Sequence, residues 1–301
     1  MGLQKRYLSQ FYPCGVRQRK GAKVGKPNNR VCTVGVNVKS RMARSRYQIG
    51  VLNVRIEKEI YWGTNVVDTV KIIESNLAEV RERIRTSAQA SGRTAADVTL
   101  VAVCKYFGSE VTRDVVAAGC RDIGENRPQV LWSKASDLTA IDVRFHQIGH
   151  LQRNKVRRTI PCIDLLHAGD SLRLISSVSA ESVKQGIVSR VLIEVNVSGD
   201  ENKHGFCPTE LESVLQEVAV LPNIDVQGMM AMAGLESDAS ESQREFAKLR
   251  ELQESLSACC PKNVSLNDLS MGMTRDYELA IQEGATIVRI GTALFEGIPR
   301  V

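Results

Sequence analysis

A lysine at the end of an apolar run opens the chemical argument. Lys105 follows Val101-Ala102-Val103-Cys104. An ammonium at the mouth of a buried segment is partly desolvated, which disfavours its charged form and frees an amine for Schiff-base formation. The competing fate of such a side chain is a stem laid along the rim with its charge in water. Towards the far end of the chain, Leu269-Ser270-Met271-Gly272-Met273 and Arg289-Ile290-Gly291-Thr292 supply hydroxyls and glycine-exposed amides. Such groups at a helix start suit a phosphate dianion. A lysine facing a phosphate cradle describes a pyridoxal phosphate (PLP) pocket, and a phosphosugar aldolase nearly as well.

Those residues need a scaffold that brings them to one mouth. Eight short β-rich runs alternate with helical patterns: 98–104, 121–125, 143–149, 162–168, 190–197, 224–231, 264–272 and 286–291. Before the first, Val66, Val70, Ile73, Leu77, Val80 and Ile84 recur at spacings of three and four, an amphipathic helix closed by Gly92. A further helix is expected after Ser109 as cap, stopping at Gly119, and another begins with Pro208 in its first turn. Strand runs apolar enough to be buried on both faces predict the α/β class and a single (β/α)8 TIM-type barrel over 66–301. An open doubly wound sheet would want a glycine-rich G-x-G-x-x-G turn after the first strand, where the chain instead reads Cys104-Lys105-Tyr106-Phe107-Gly108. In a barrel, reactive groups lie at the C-terminal ends of strands, with phosphate held after strands seven and eight. That is where Lys105, Ser270, Gly291 and Thr292 fall.

Charge divides the chain. Residues 1–56 hold 13 Lys/Arg and no Asp/Glu, and the remainder 27 against 34, so the net +6 describes neither part. The head, 1–65, has no sustained period and is rich in turn formers, which predicts a disordered basic extension. Its charge raises nucleic-acid binding as a distant alternative, testable by its salt dependence. No run reaches the roughly 18 apolar residues of a membrane helix, and no apolar segment follows the basic N-terminus as a secretory signal requires, so a cytoplasmic protein is expected. Eight cysteines with no C-x-x-C pair are expected to be reduced and mostly buried.

Seven segments in order carry a family resemblance. They are VAVCK (101–105), Gly124-Glu125-Asn126, HQIGHLQRNK (146–155), EVNVSGDENKHGF (194–206), GMMAMA (228–233), LSMGMTRDYELAI (269–281) and VRIGTALFEG (288–297). Together they resemble the pyridoxal phosphate homeostasis protein family, also called YggS or proline synthase co-transcribed, over about residues 66–298. The resemblance implies the fold of the alanine racemase N-terminal domain and PLP carried as an internal aldimine on Lys105. It also implies that Ser270, Gly291 and Thr292 hold the phosphate, that Arg289 faces the pyridine nitrogen, and that Asn126 lies near the ring. Two departures stand out: Cys104 where the family has Ser or Thr, and Arg127-Pro128-Gln129-Val130 where it has an aromatic followed by Gln-Glu.

An arginine at the pyridine nitrogen stays protonated and only donates, so it restricts the ring as an electron sink. Racemisation needs a second base on the opposite face of the substrate carbon, and no tyrosine for that role can be assigned. A binding and delivery role in vitamin B6 balance, handing PLP to apo-enzymes from a monomeric protein, is therefore expected ahead of an amino-acid racemase. His146 and His150 show no third ligand, so no metal is expected. Arg153, Lys155, Arg157 and Arg158 are read as a solvated helix face. Met229, Met230 and Met232 are read as packing for the sixth strand.

Overall fold

The computed structural model describes residues 68–200, 203–234 and 237–299. The basic extension assigned to 1–65, with Cys14 and Cys32, lies outside the described residues.

The chain enters through α1 (Thr69–Ala90), whose N-cap Asp68 accepts a hydrogen bond from the Lys71 amide. The three-and-four spacing becomes one buried face, with Ile73, Leu77, Val80 and Ile84 each at most 3% exposed. Burial of such a face, more than helix propensity, holds a surface helix in place. The chain leaves the helix through Gly92 at φ +72°, a left-handed conformation that costs glycine nothing. Two side chains then fasten α1 and its exit to the end of the barrel. Asn76 donates to the carbonyls of Leu294 and Glu296, and Arg93 to those of Ile281 and Ala285.

All eight expected strands form: β1 (Thr99–Val103), β2 (Asp122–Glu125), β3 (Arg144–Gln147), β4 (Leu165–Gly169), β5 (Ser189–Glu194), β6 (Ile224–Met230), β7 (Asp268–Ser270) and β8 (Ile287–Ile290). Each pairs in parallel with the next, and β1 pairs with β8, so the sheet closes into a barrel. Connecting helices alternate with them: α2 (Ser109–Ala117), α3 (Pro128–Asp137), α4 (Val156–Thr159), α5 (Leu172–Gln185), α6 (Leu211–Ala219), α7 (Ala239–Ser257) and α8 (Tyr277–Gln282). Two apolar layers result. Val101, Leu165, Ala168, Leu192, Met230 and Ile287 form one cluster, and a larger one joins the sheet to the surrounding helices. An all-parallel sheet covered on both faces in this way explains the near-continuous apolar strands.

Three expectations are corrected. Gly108, not Ser109, caps α2, and the Ser109 hydroxyl instead donates to Asp137 on α3, 2.5 Å away. Met229 and Met230 are fully buried, but Met232 lies beyond the end of β6 and is exposed. The six described cysteines are all free, yet only Cys104 and Cys120 are buried; the others lie in connections near the surface.

Candidate functional site

Register places the expected residues at one end. Val101 pairs with Arg289 and Ala102 with Ile290, so the chain after β1 and the chain after β8 emerge side by side. Lys105 is exposed there, its ammonium 5.1 Å from the centre of the Tyr106 ring. Beneath it, Lys134 of α3 donates to the Cys104 carbonyl at 2.9 Å and forms an ion pair with Glu125 at the end of β2. Both side chains are essentially sealed from water. Burial pushes the Glu125 carboxyl up against the pull of Lys134. Lys134 thus ties the backbone next to Lys105 to the adjacent strand. The first family departure is silent in this frame: Cys104 is buried, and burial pushes its thiol up to about 12, so it acts as a small apolar residue.

Asn126 follows Glu125 and is exposed, its Oδ1 lying against Gly149. A Cβ at Gly149 would come within 1.6 Å of that oxygen, so only glycine allows this approach. Gln147 braces the same corner by donating to the carbonyls of Asn126 and Gly149 at 3.0 and 2.9 Å. The second departure is also accommodated: Arg127 is the extended N-cap of α3, and Pro128 occupies the first turn, where a missing amide proton costs nothing.

Beside the end of β1, Gly291 is half-buried and Thr292 exposed, at the start of a short 3-10 turn, Thr292–Phe295. The Gly291 amide donates to the Thr274 hydroxyl at 3.3 Å. Thr274, which was not singled out beside the expected Ser270 and Thr292, thus also stands at the cradle. Its position in the loop after β7 was the available signal. Ser270 itself is fully buried and faces inward: its Oγ is 2.8 Å from His167 Nδ1 on β4 and receives a hydrogen bond from Arg289 Nη1 at 2.5 Å. Because β4 and β7 are not neighbours, this bond crosses the barrel interior.

It is part of a buried polar column that sequence reasoning missed. His167 Nε2 lies 3.0 Å from His146 Nδ1, and His146 Nε2 lies 3.0 Å from Asp122 Oδ1. Arg144 also engages Asp122, with both carboxylate oxygens in reach. The signal was polar residues interrupting apolar runs at Asp122, His146, His167, Ser270 and Arg289. Burial raises the Asp122 carboxyl, but the bonds from His146 and Arg144 outweigh it and hold it at about 2.

Arg289 is 3% exposed and donates to Ser270 Oγ and to the Ala231 carbonyl at 3.0 Å. Burial lowers it to about 10, while Glu194 and Asp276 oppose the shift. No carboxylate among the described residues lies within ion-pair distance of it. Glu194, at the end of β5, is pushed to about 7, first by burial and then by Asp170. A carboxyl whose pKa is raised on folding binds its proton more tightly when folded, so its effect is to lower stability as pH rises from about 4.5 to about 7. Glu194→Gln is expected to stabilise the protein by up to about 3 kcal/mol near pH 8 and to change little near pH 5. Urea unfolding at both pH values checks this, and equal effects at the two would refute it.

The two histidines four residues apart separate. His146 joins the column, whereas His150 meets Asp170 at 2.5 Å and stacks on His204 with ring centres 4.5 Å apart. The ligand-type atoms of His150, Asp170 and His204 lie within 4.8 Å of one another, a grouping that the His146/His150 spacing does not reveal. In the basic cluster, Arg153, Arg157 and Arg158 are exposed, and Arg158 rests 4.4 Å from the centre of the Trp132 ring. No helix among the described residues is long and apolar enough to cross a membrane.

The donor set fits PLP. A primary amine stands at the mouth after β1, and beside it, after β8 and β7, stand an amide and threonine hydroxyls. Arg289, on β8 itself, adds a buried guanidinium without a carboxylate partner among the described residues, suited to an acceptor.

Comparison with known proteins agrees. Residues 75–299 match the alanine racemase N-terminal domain family. The chain is 39% identical over 219 residues to the pyridoxal phosphate homeostasis protein of Aquifex aeolicus, covering 73% of this chain and 95% of that one. It is 40% identical over 223 residues to the protein of that name from Pseudomonas aeruginosa, covering 74% and 94%. PipY of Synechococcus elongatus PCC7942, solved with PLP bound, superposes with a TM-score of 0.66 at 32% identity, covering 74% of this chain and 99% of PipY. With nearly the whole length of such relatives matched, this chain belongs to the pyridoxal phosphate homeostasis protein family.

Proposed function

We propose that this protein binds PLP at the barrel mouth, attached to Lys105, and serves PLP homeostasis. The observation that carries the reading is its likeness, over 74% of its length, to a relative solved with PLP bound. PLP supplies a reactive aldehyde and an electron-withdrawing ring. Lys105 would hold its aldehyde carbon, and the Gly291 amide with the Thr274 and Thr292 hydroxyls would hold its phosphate. Arg289 offers a donor that does not give up its proton, which disfavours a protonated pyridine nitrogen and so restrains chemistry at an amino-acid α-carbon. Asn126, held against Gly149, would lie near the ring. Delivery to apo-enzymes follows from a holder of this kind, since reversible capture keeps a reactive aldehyde available without consuming it.

The protein and its Lys105→Ala variant are incubated with PLP, reduced with borohydride and weighed by mass spectrometry. The parent is expected to gain one stoichiometric reduced adduct, mapped by peptide digestion to Lys105, and the variant none. An adduct of equal yield in the variant, or none in the parent, would overturn the reading.

A further inference from the structure

Three consecutive strands deliver metal-type ligands to the same end of the barrel. His150 follows β3, Asp170 follows β4, and His204 lies in the connection after β5. In a closed eight-stranded barrel β5 stands opposite β1 and β4 opposite β8, so this corner lies across the mouth from Lys105 and Gly291. None of the three residues takes part in the PLP reading.

Each ligand is held by its own strand end. Gln147 braces the Gly149 carbonyl one residue before His150. Asp170 precedes Ser171, the N-cap of α5, whose hydroxyl donates to Asp170 Oδ1 at 3.0 Å. An outer bond of this kind orients a carboxylate ligand. His204 lies two residues before Phe206, which pairs with Val195: the Phe206 amide donates to the Glu194 carbonyl at 2.8 Å, and the Asn196 amide donates to the Phe206 carbonyl at 3.0 Å. Gly205 between them takes φ +107°, and a Cβ there would meet the Glu194 carbonyl at 3.0 Å, so glycine lets the chain turn back onto β5.

The His150 and His204 rings stack with centres 4.5 Å apart and planes 13° from parallel. One nitrogen of each and one Asp170 oxygen lie within 4.8 Å of one another. Around a tetrahedral zinc, with bonds of about 2.0–2.1 Å, such atoms stand about 3.3 Å apart. Both rings are exposed, so small side-chain rotations close the set on one ion. A second observation points to a cation. The Asp170 side chain is only 4% exposed, yet among the described residues no lysine or arginine lies within ion-pair distance of it, and His150 is the only basic side chain that does. A buried carboxylate calls for a positive partner. Glu194 adds acid at the same place, close enough to feel both Asp170 and His150. A cavity of about 300 Å³ opens beside His150 and Asp170, and Arg153 and Arg173 on its border are exposed. Two imidazoles with one carboxylate suit a transition metal, whereas magnesium and calcium prefer oxygen throughout.

We propose that His150, Asp170 and His204 bind one divalent transition-metal ion of the zinc, cobalt or nickel class. The inference goes beyond the PLP reading and does not rest on it. The hydrogen bond between His150 and Asp170 gives way as both turn their donor atoms to the ion, each ring ligating through an unprotonated nitrogen. Three protein ligands leave a fourth position to water, the pattern of open zinc sites.

The full chain, treated with chelator, dialysed and free of PLP, is titrated with Zn2+ by calorimetry and with Co2+ by absorbance. The chain has four histidines, of which His146 and His167 are buried, so imidazole NMR reports on the site directly. One Zn2+ per chain is expected, with the His150 and His204 ring signals shifting and those of His146 and His167 staying in place. His204→Ala and Asp170→Asn are each expected to weaken Zn2+ binding by at least about a hundredfold, more than the usual loss of a residue that only orients a ligand. Zn2+ is expected to raise the thermal midpoint of the parent but not of His204→Ala, whose exposed position leaves the metal-free stability unchanged. Lys105→Ala is expected to bind Zn2+ as the parent does. Equal Zn2+ affinity in the parent and His204→Ala, a cobalt spectrum carried by thiolate with both rings unmoved, or no saturable binding in the parent would each overturn the proposal. PLP capture on Lys105 stands or falls separately, by its own adduct.

Discussion

Lys134→Met is expected to lower stability by about 3–5 kcal/mol near neutral pH, the usual cost of leaving a buried charge without its partner. The reason lies in the geometry under Lys105. Glu125 is fully buried, one of its carboxylate oxygens has no hydrogen-bond partner, and Lys134 is the cation on the other. The Cys104 carbonyl would suffer less, since the Phe107 amide also donates to it at 2.9 Å. Removing the cation leaves the carboxyl two poor options, a buried anion or an uptake of protons. The loss is therefore expected to grow as pH rises above the carboxylate range and to shrink towards pH 5. Adding Glu125→Leu is expected to recover most of it, because removing both charges removes the desolvation problem. Thermal and urea unfolding of the two variants check this; a double variant no more stable than the single would refute it. A change in PLP capture in the refolded double variant would report how far the Lys134 bond to Cys104 positions Lys105.

Arg289→Leu is expected to weaken PLP binding at least tenfold, about 1.4 kcal/mol, and to cost about 2–4 kcal/mol of stability. Two acceptors are stranded at once, Ser270 Oγ and the Ala231 carbonyl, and Glu194 loses the cation that opposes its raised pKa. Arg289→Lys keeps the charge but not the planar fork that reaches both acceptors, so it is expected to fall between the parent and the leucine variant in both measures. Equilibrium dialysis with PLP and urea unfolding separate the two effects. Equal PLP affinity in the parent and Arg289→Leu would show that the guanidinium serves the barrel interior alone.

These two residues also show why the site was only partly legible. Arg289 was found because it stands in VRIGT at the end of a strand. Lys134 was not, because a lysine in the middle of an amphipathic helix looks like any solvent-facing lysine; only the packing of α3 onto β2 turns it inward. Ser270 was found by type and position, but the side of the strand its hydroxyl faces depends on how the barrel closes. His146 drew notice for its distance from His150, a comparison along the chain, whereas its partners Asp122 and His167 come from the adjacent strands β2 and β4.

What the sequence determined by itself was local and periodic: eight apolar strand runs, the amphipathic face of α1, the glycine that ends it, and the chemical types at the strand ends. These follow from side-chain spacing and backbone propensity, which act over a few residues. The family resemblance was legible for the same reason, as short motifs in order. Closure of the barrel decided the rest. Pairing β1 with β8 set Lys105 beside the Gly291 cradle. Enclosing the interior put Asp122, His146, His167, Ser270 and Arg289 within hydrogen-bond reach across 168 positions of sequence. Burial then fixed their charges, because the free energy of an ionised group depends on what surrounds it in space, and no stretch of sequence contains that neighbourhood.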